Sequence, residues 1–256
     1  MDGIINVYKP LGLTSARTLD HVRRITGQRK SGYAGTLDPA AEGVLVVCLG
    51  RATKLVEWLL DQPKVYRATA RLDLVSPGFD SEKPPQLIEV GIRPGRADVA
   101  AVLTSFEGRI DQVPPALSAV KVAGRAAYRL SRAGRPPMLA ARPVHIYWTN
   151  LWQYEWPCLG FDVACGRGTY IRALIRDIGT RLGTGGCLTA LVRQAVGPFQ
   201  VQQSWSLARL EAAGEPSAYL TTLETARALV AGPVAAIPPR PAGGSDTLGP
   251  DGAARG

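Results

Sequence analysis

The chain has 256 residues, 46% of them hydrophobic and 20% charged, with 30 Lys and Arg against 21 Asp and Glu for a formal net charge of +9. This composition excludes collagenous, disordered and disulfide-scaffold classes and suits a globular protein with one large core or two modest ones. The positive excess fits a polyanionic partner, because neutralising phosphates releases condensed counterions, although a merely soluble basic surface carries the same signature.

Residues 4 to 8, IINVY, read as a short strand closed by Pro10. Ser15 then reads as the N-cap of a helix with Leu19, Val22 and Ile25 on one face and Gly27 just past its end. A Gly-rich turn, SGYAGTLDP, occupies 31 to 39, and GVLVVCLG at 43 to 50 has the continuous apolar character of a buried strand. Ala52 to Leu60 reads as a helix. The run VYRATARLD at 65 to 73 alternates, with Tyr66, Ala68, Ala70 and Leu72 on one face and Arg67, Thr69 and Arg71 on the other. Val99, Val102, Leu103 and Phe106 give an amphipathic helix stopped by Gly108. Ala116 to Val122 reads as a strand and Arg125 to Ala133 as a helix. Two β-rich runs between 142 and 165 precede a helix capped by Thr169 and running to about Leu182. Strands thus come in groups with helices between them, which predicts an α+β domain with a largely antiparallel or mixed sheet at 1–230. Beyond about Ala231 the chain is dense in Pro, Gly and Ala, and 231–256 is expected to be a disordered tail.

No run approaches the roughly 18 to 20 apolar residues of a membrane span, and MDGIINVYKP lacks the features of a signal peptide, so no membrane contact and a cytoplasmic location are expected. Cys48, Cys158, Cys165 and Cys187 form no C-x-x-C pair, and His21 and His145 complete no standard zinc set with them. With only two histidines to act as base, an enzyme of this sequence would rely on a carboxylate, Lys or Tyr.

The segment Gly35-Thr36-Leu37-Asp38-Pro39 places a carboxylate on a loop whose glycine permits unusual backbone geometry and whose proline biases Asp38 toward an extended conformation. An ordinary Asp-Pro turn has the same letters. The wider run YAGTLDPAAEGVLVVCLGRATK at 33 to 54, however, closely resembles the catalytic segment of the TruB family, bacterial tRNA pseudouridine synthases that modify a uridine of the T-loop. VYKPLGLTS at 7 to 15, KVYRATARL at 64 to 72, PPALSAVKVAGRAAYRLSRAGR at 114 to 135, GRGTYIRALIRDIG at 166 to 179 and LVRQAVGPF at 191 to 199 follow in the family's order. Their joint order and spacing are far more specific than any one piece.

The resemblance implies a pseudouridine synthase fold with a central sheet flanked by helices, and tRNA, engaged through its T-arm stem-loop, as partner; a monomer is expected. It puts the catalytic aspartate at Asp38, the tyrosine that stacks on the uracil and helps with proton removal at Tyr66, and the arginine that pairs with the aspartate at Arg172. Tyr170 and Leu191 fall on residues lining the same pocket, and Lys9 on a lysine that braces the active-site loop. No metal or organic cofactor is implied. Taken singly, Tyr66 could equally be a core aromatic, Arg172 a solvated helix residue and Lys9 a surface charge.

Two departures stand out. Gly32-Tyr33-Ala34-Gly35 replaces the family's Gly-His-Thr-Gly, so Tyr33 stands where a histidine helps to hold the T-loop. Val75 to Asp80 replaces the usual Thr-Asp-Thr-x-Asp pattern, with Asp80 on its final carboxylate. The tail leaves no expectation of a C-terminal RNA-binding domain of the PUA type. Two rivals remain: a non-catalytic RNA-binding or RNA-folding protein on this scaffold, and the same chemistry on another RNA.

Overall fold

In the computed structural model, which describes residues 1–82, 84–118, 120–122, 124–231 and 236–241, the opening run GIINVYK forms strand β1 (Gly3–Lys9). Helix α1 (Ser15–Thr26) follows and ends at Gly27, which takes a left-handed φ of 65°. Its cap is Thr14, whose hydroxyl accepts the Arg17 N–H at 3.1 Å. Ser15, the cap expected from the sequence, is the first helical residue and is engaged elsewhere. The Gly-rich stretch contains a strand, β2 (Ser31–Ala34), and the apolar run that follows is β3 (Glu42–Leu49). The expected helix at 52 to 60 divides into a 3-10 turn, Gly50–Leu55, and helix α2 (Val56–Asp61). The alternating segment is strand β4 (Lys64–Arg71).

The described residues gather into two compact units, Met1–Arg67 with Leu191–Gly256, and Ala68–Ala190, within what the sequence presents as one catalytic domain. In the first unit, β1 pairs antiparallel with β3 along its whole length, from Gly3 opposite Leu49 to Lys9 opposite Gly43. The other edge of β3 is shared. β2 lies antiparallel on its C-terminal half, with Ala34 opposite Val46.

β3 is apolar throughout because both of its faces are covered. Val44, Val46 and Cys48 pack with Ile4, Ala34, Leu59 and Val196 on one side, and Leu45, Val47 and Leu49 with Ile5, Val7, Leu19 and Val22 of α1 on the other. Burial pushes the Cys48 thiol up to about 12, so it acts as a small apolar residue.

The second unit is built on helix α3 (Arg96–Thr104), strand β5 (Gly108–Gln112), helix α4 (Ala127–Arg132) and strands β6 (Arg142–Glu155) and β7 (Cys158–Cys165), followed by helix α5 (Ile171–Leu182). β6 pairs antiparallel with β7 and, on its other edge, with β5. Among the described residues of 116 to 122, only Lys121–Val122 is strand, paired with Arg125–Ala126; residues 116 to 118 follow two prolines that donate no backbone hydrogen bond. The N-cap of α5 is Tyr170, and the hydroxyl of Thr169, the expected cap, donates back to the Gly166 carbonyl at 3.1 Å. Gly179 lets α5 lie against the following loop, since a Cβ there would stand 2.1 Å from the Gly185 carbonyl oxygen.

Strand β8 (Cys187–Val196), which the sequence pattern did not announce, returns the chain to the first unit. It runs parallel to β3 at Val192 opposite Glu42 and Arg193 opposite Gly43. All other registers quoted above are antiparallel, so the sheet is mixed and largely antiparallel, as expected of an α+β protein. Helices α6 (Leu207–Ala212) and α7 (Leu223–Ala231) cover the first unit's two faces, with Leu210 in one apolar cluster and Ala226 in the other. The expected tail at 231–256 lies outside the described residues apart from 231 and 236–241.

At Gly43 the backbone takes φ 104°, and a Cβ would stand 2.4 Å from the Arg193 carbonyl oxygen. Gly43→Ala should therefore cost at least about 2 kcal/mol, combining a strained backbone with displacement of β8. Urea denaturation of both proteins measures it.

Candidate functional site

Asp38 is half-buried in the loop that joins β2 to β3. Gly35 opens this loop at a φ of 79°, accessible to glycine at no steric cost. The hydroxyl of Ser15 then holds both backbone groups of Leu37, accepting its N–H at 2.8 Å and donating to its carbonyl at 3.0 Å. The Gly12 N–H donates to the Pro39 carbonyl at 2.8 Å, and the Ala41 N–H to the Asp38 carbonyl at 3.1 Å. The residues on either side of Asp38 are thus tied to the entry of α1, which fixes where the carboxylate leaves the backbone.

Lys9, at the end of β1, is fully buried and donates its ammonium protons to the carbonyls of Pro10 at 2.9 Å and Leu13 at 2.6 Å. It braces the same α1 entry. Burial pushes its pKa down to about 8; the carboxylates of Glu42 and Asp38 act against that fall, and the Arg193 guanidinium adds to it. Lys9, Asp38, Glu42 and Arg193 therefore form one electrostatic group. Arg193 is 1% exposed, with Nε donating to the Val44 carbonyl at 2.7 Å and Nη2 to the Gly35 carbonyl at 3.0 Å.

Tyr66 and Leu191 belong to the same unit and are 9% and 8% exposed. Tyr66, Ala68, Ala70 and Leu72 are buried and Arg67, Thr69 and Arg71 are half-buried, which is the alternation read from the sequence. Arg71 is bound to Asp73, with Nε–Oδ1 at 2.9 Å and Nη2–Oδ2 at 2.5 Å. Tyr33, opposite Val47 on β2, is half-buried against the apolar cluster that contains Leu19 and Val22 of α1.

Arg172 and Tyr170 belong to the second unit. Arg172 is 5% exposed, and its Nε lies 3.4 Å from Oδ2 of Asp80, itself 3% exposed. Nη1 donates to the Gly78 carbonyl at 3.1 Å and Nη2 to the Leu117 carbonyl at 3.0 Å. The Asp80 turn is secured in turn. The Ser76 hydroxyl donates to the Asp80 carbonyl at 2.6 Å, and the Glu82 N–H to Asp80 Oδ1 at 3.1 Å. The side-chain amide of Gln112 both accepts the Tyr170 N–H at 2.8 Å and donates to the Tyr170 carbonyl at 3.1 Å, setting the backbone at the start of α5.

Chemically, the first unit offers a carboxylate on an immobilised loop, two buried cations in its electrostatic neighbourhood and a nearly buried tyrosine. This set suits nucleophilic or electrostatic catalysis at an electron-poor carbon. Arg193 and Gln112 carry much of this organisation and were not singled out by their letters, whereas Ser15 was read as a helix cap and not as the anchor of Leu37. The faint signal for Arg193 was an arginine inside the apolar stretch LVRQAV. Among the described residues, no group of three His, Cys, Asp or Glu side chains could hold a metal ion, and no helix is long and apolar enough to cross a membrane.

The TruB family pseudouridylate synthase N-terminal domain matches residues 23–171, and the tRNA pseudouridylate synthase B C-terminal domain matches residues 172–226. The tRNA pseudouridine synthase B of Clostridium novyi is 41% identical over 211 residues, 82% of this chain and 72% of that protein. The protein of the same name from Dehalococcoides mccartyi is 42% identical over 229 residues, covering 88% and 76%. Among solved structures, a chain of a Cbf5-Nop10-Gar1 complex superposes with a TM-score of 0.63 at 33% identity, covering 80% of this chain and 52% of that one. A chain of an H/ACA RNP bound to a substrate RNA containing 2′-deoxyuridine gives 0.60 at 30% identity, covering 80% and 51%. The present chain thus spans about half the length of these structural relatives.

Ser15→Ala leaves the buried backbone groups of Leu37 without their partner and should lower stability by about 2 kcal/mol, measured by urea denaturation. Lys9 gives a pH signature. Its folded pKa of about 8 lies below its ordinary 10.5, so between these values the unfolded chain holds more protons and wild-type stability rises with pH. Lys9→Met lacks this contribution. The stability difference between the two proteins should move in the wild type's favour as pH is raised through that window, as followed by denaturant midpoints.

Proposed function

Since the chain belongs to the TruB family of pseudouridylate synthases, we propose that it converts one uridine in the T-loop of tRNA to pseudouridine, with Asp38 as the catalytic carboxylate. The observation that carries this reading is the fixing of the Asp38 loop by Ser15 and Gly12, with Lys9 and Arg193 as the nearby cations. Asp38 attacks or stabilises the sugar or base while the N1–C1′ bond breaks. The uracil is reattached through C5, the C5 proton leaves and N1 gains one, so the product is an isomer of the substrate and the balance requires no redox partner.

In this reading Tyr66 stacks on the uracil, replacing the stacking lost when the base leaves the loop, and helps with proton removal. Leu191 and Tyr170 line the uracil pocket, and Arg172 is the arginine that serves the aspartate. The burial of Arg172 beside Asp80 supports a role other than a solvated helix residue. Tyr33 offers the T-loop the part of its ring that the α1 cluster leaves uncovered, together with one hydroxyl. The net charge of +9 favours a tRNA partner. The same proposal takes the chain as a cytoplasmic monomer, and its free cysteines accord with a reducing compartment.

The test uses tRNA transcribed with uridine tritiated at C5, following tritium release, with affinity measured by filter binding. Asp38→Asn keeps the shape of the side chain and removes its charge, so release should fall by several orders of magnitude while affinity stays within about threefold. A variant as active as the wild type excludes Asp38. A wild type that binds tRNA without releasing tritium supports the RNA-folding rival instead.

A further inference from the structure

We propose that Arg193 is a positioning residue for the catalytic loop: its guanidinium ties the carbonyl of Gly35, where that loop begins, to the carbonyl of Val44 inside β3, and so sets the reach of Asp38. This rests on the proposed role of Asp38.

The sheet register shows why such a tie is needed. One edge of β3 is fully served by β1, from Leu49 to Gly43. The opposite edge is served by β2 from Leu49 to Val46 and by β8 at Gly43 and Glu42. Two neighbours therefore split on this edge at Val44 and Leu45, where β2 ends and the chain turns away at Gly35. A buried carbonyl at such a split needs a donor. Arg193 Nε supplies it to Val44 at 2.7 Å. Nη2 of the same guanidinium reaches the Gly35 carbonyl at 3.0 Å.

One planar group thus spans the strand and the first residue of the loop, three positions before Asp38. Its planarity matters, because donors fixed in a rigid fork lose little freedom per hydrogen bond formed, whereas a lysine ammonium is a single point on a flexible stem. The approach is close: a Cβ on Gly35 would lie 3.3 Å from Nη1. Arg193 is also held on its own side, since its backbone packs against Gly43 too tightly for any Cβ between them. The guanidinium therefore has its base on β8, one end on β3 and the other on the loop.

The far side of the loop is already tied to α1 by Ser15 and Gly12. Without Arg193 the segment from Gly35 to Leu37 would pivot about that α1 anchor. The consequence is geometric, since a catalytic group displaced by a fraction of an ångström loses rate while substrate affinity is retained.

The experiment compares the full-length wild type with Arg193→Lys, Arg193→Met and Gly35→Ala. Tritium release from C5-labelled tRNA is measured at saturating enzyme and across enzyme concentrations, alongside hydrogen exchange of the free proteins. Arg193→Lys should lower the maximal rate by about ten- to a hundredfold with half-saturation changed less than threefold, and Arg193→Met should lose more. In both, the amides of 36 to 41 should exchange at least about tenfold faster while those of β1 and β3 hold the wild-type rate. Gly35→Ala should give the same kinetic pattern, and its loss should not add to that of Arg193→Lys in the double variant.

Wild-type rates in Arg193→Lys overturn the proposal, as does a change confined to half-saturation. Exchange accelerated uniformly through the first unit also overturns it, because Arg193 would then be a stability residue only. A wild type that releases no tritium refutes the proposed function, and in that event the exchange data still decide whether Arg193 holds the loop.

Discussion

A strand buried on both faces and flanked on both edges has no water to satisfy its backbone, so every carbonyl of β3 must find a protein donor. The rest of the first unit is arranged around that constraint. β1 answers it along one edge, and β2 and β8 divide the other. Where they divide, the sheet has a seam, and the loop carrying Asp38 leaves from that seam at Gly35. The candidate catalytic loop thus starts where β2 and β8 divide the edge of β3, held at its root by Arg193 and on its far side by Ser15 and Gly12.

Buried cations on backbone carbonyls recur throughout the molecule. Lys9 holds Pro10 and Leu13, Lys64 holds Leu60 and Gln62, Arg172 holds Gly78 and Leu117, and Arg193 holds Gly35 and Val44. Bonds of this kind, with an ionised donor, are stronger than neutral ones, and inside the protein the low dielectric strengthens them further. Where the carbonyl lies in an irregular segment, which lacks ladder bonds of its own, as at Pro10, Leu13, Gly35, Gly78 and Leu117, the bond fixes that segment.

Most elements were legible wherever a pattern of apolar residues was decided by one packing surface. The alternation of β4, the amphipathic stripe of α1 and the unbroken apolar run of β3 each follow from faces that are covered or open. The helix caps were less legible. Ser15 is the better cap by type, and α1 uses Thr14 because the Ser15 hydroxyl is taken by Leu37, 22 residues away. Thr169 loses the cap of α5 in the same way, to a bond within its own turn. β8 escaped notice because its exposed Thr189 and Ala190 and its buried Arg193 break both a strict alternation and an apolar run.

The sequence by itself determined the chemical cast: a carboxylate on a Gly-bounded loop, an aromatic on an alternating strand, a basic surplus and an order of motifs shared with one enzyme family. Local pattern suffices for these because they depend on residue type and near neighbours. Only the tertiary structure decided that Leu191 onward rejoins the first unit, that Arg172 is enclosed with Asp80, and that Arg193 bridges a loop and a strand about 150 residues before it. An arginine is read by default as solvated, since desolvating an unpaired charge is prohibitive. The carbonyls that overturn this default at Arg172 and Arg193 come from distant segments, and only folding brings them together.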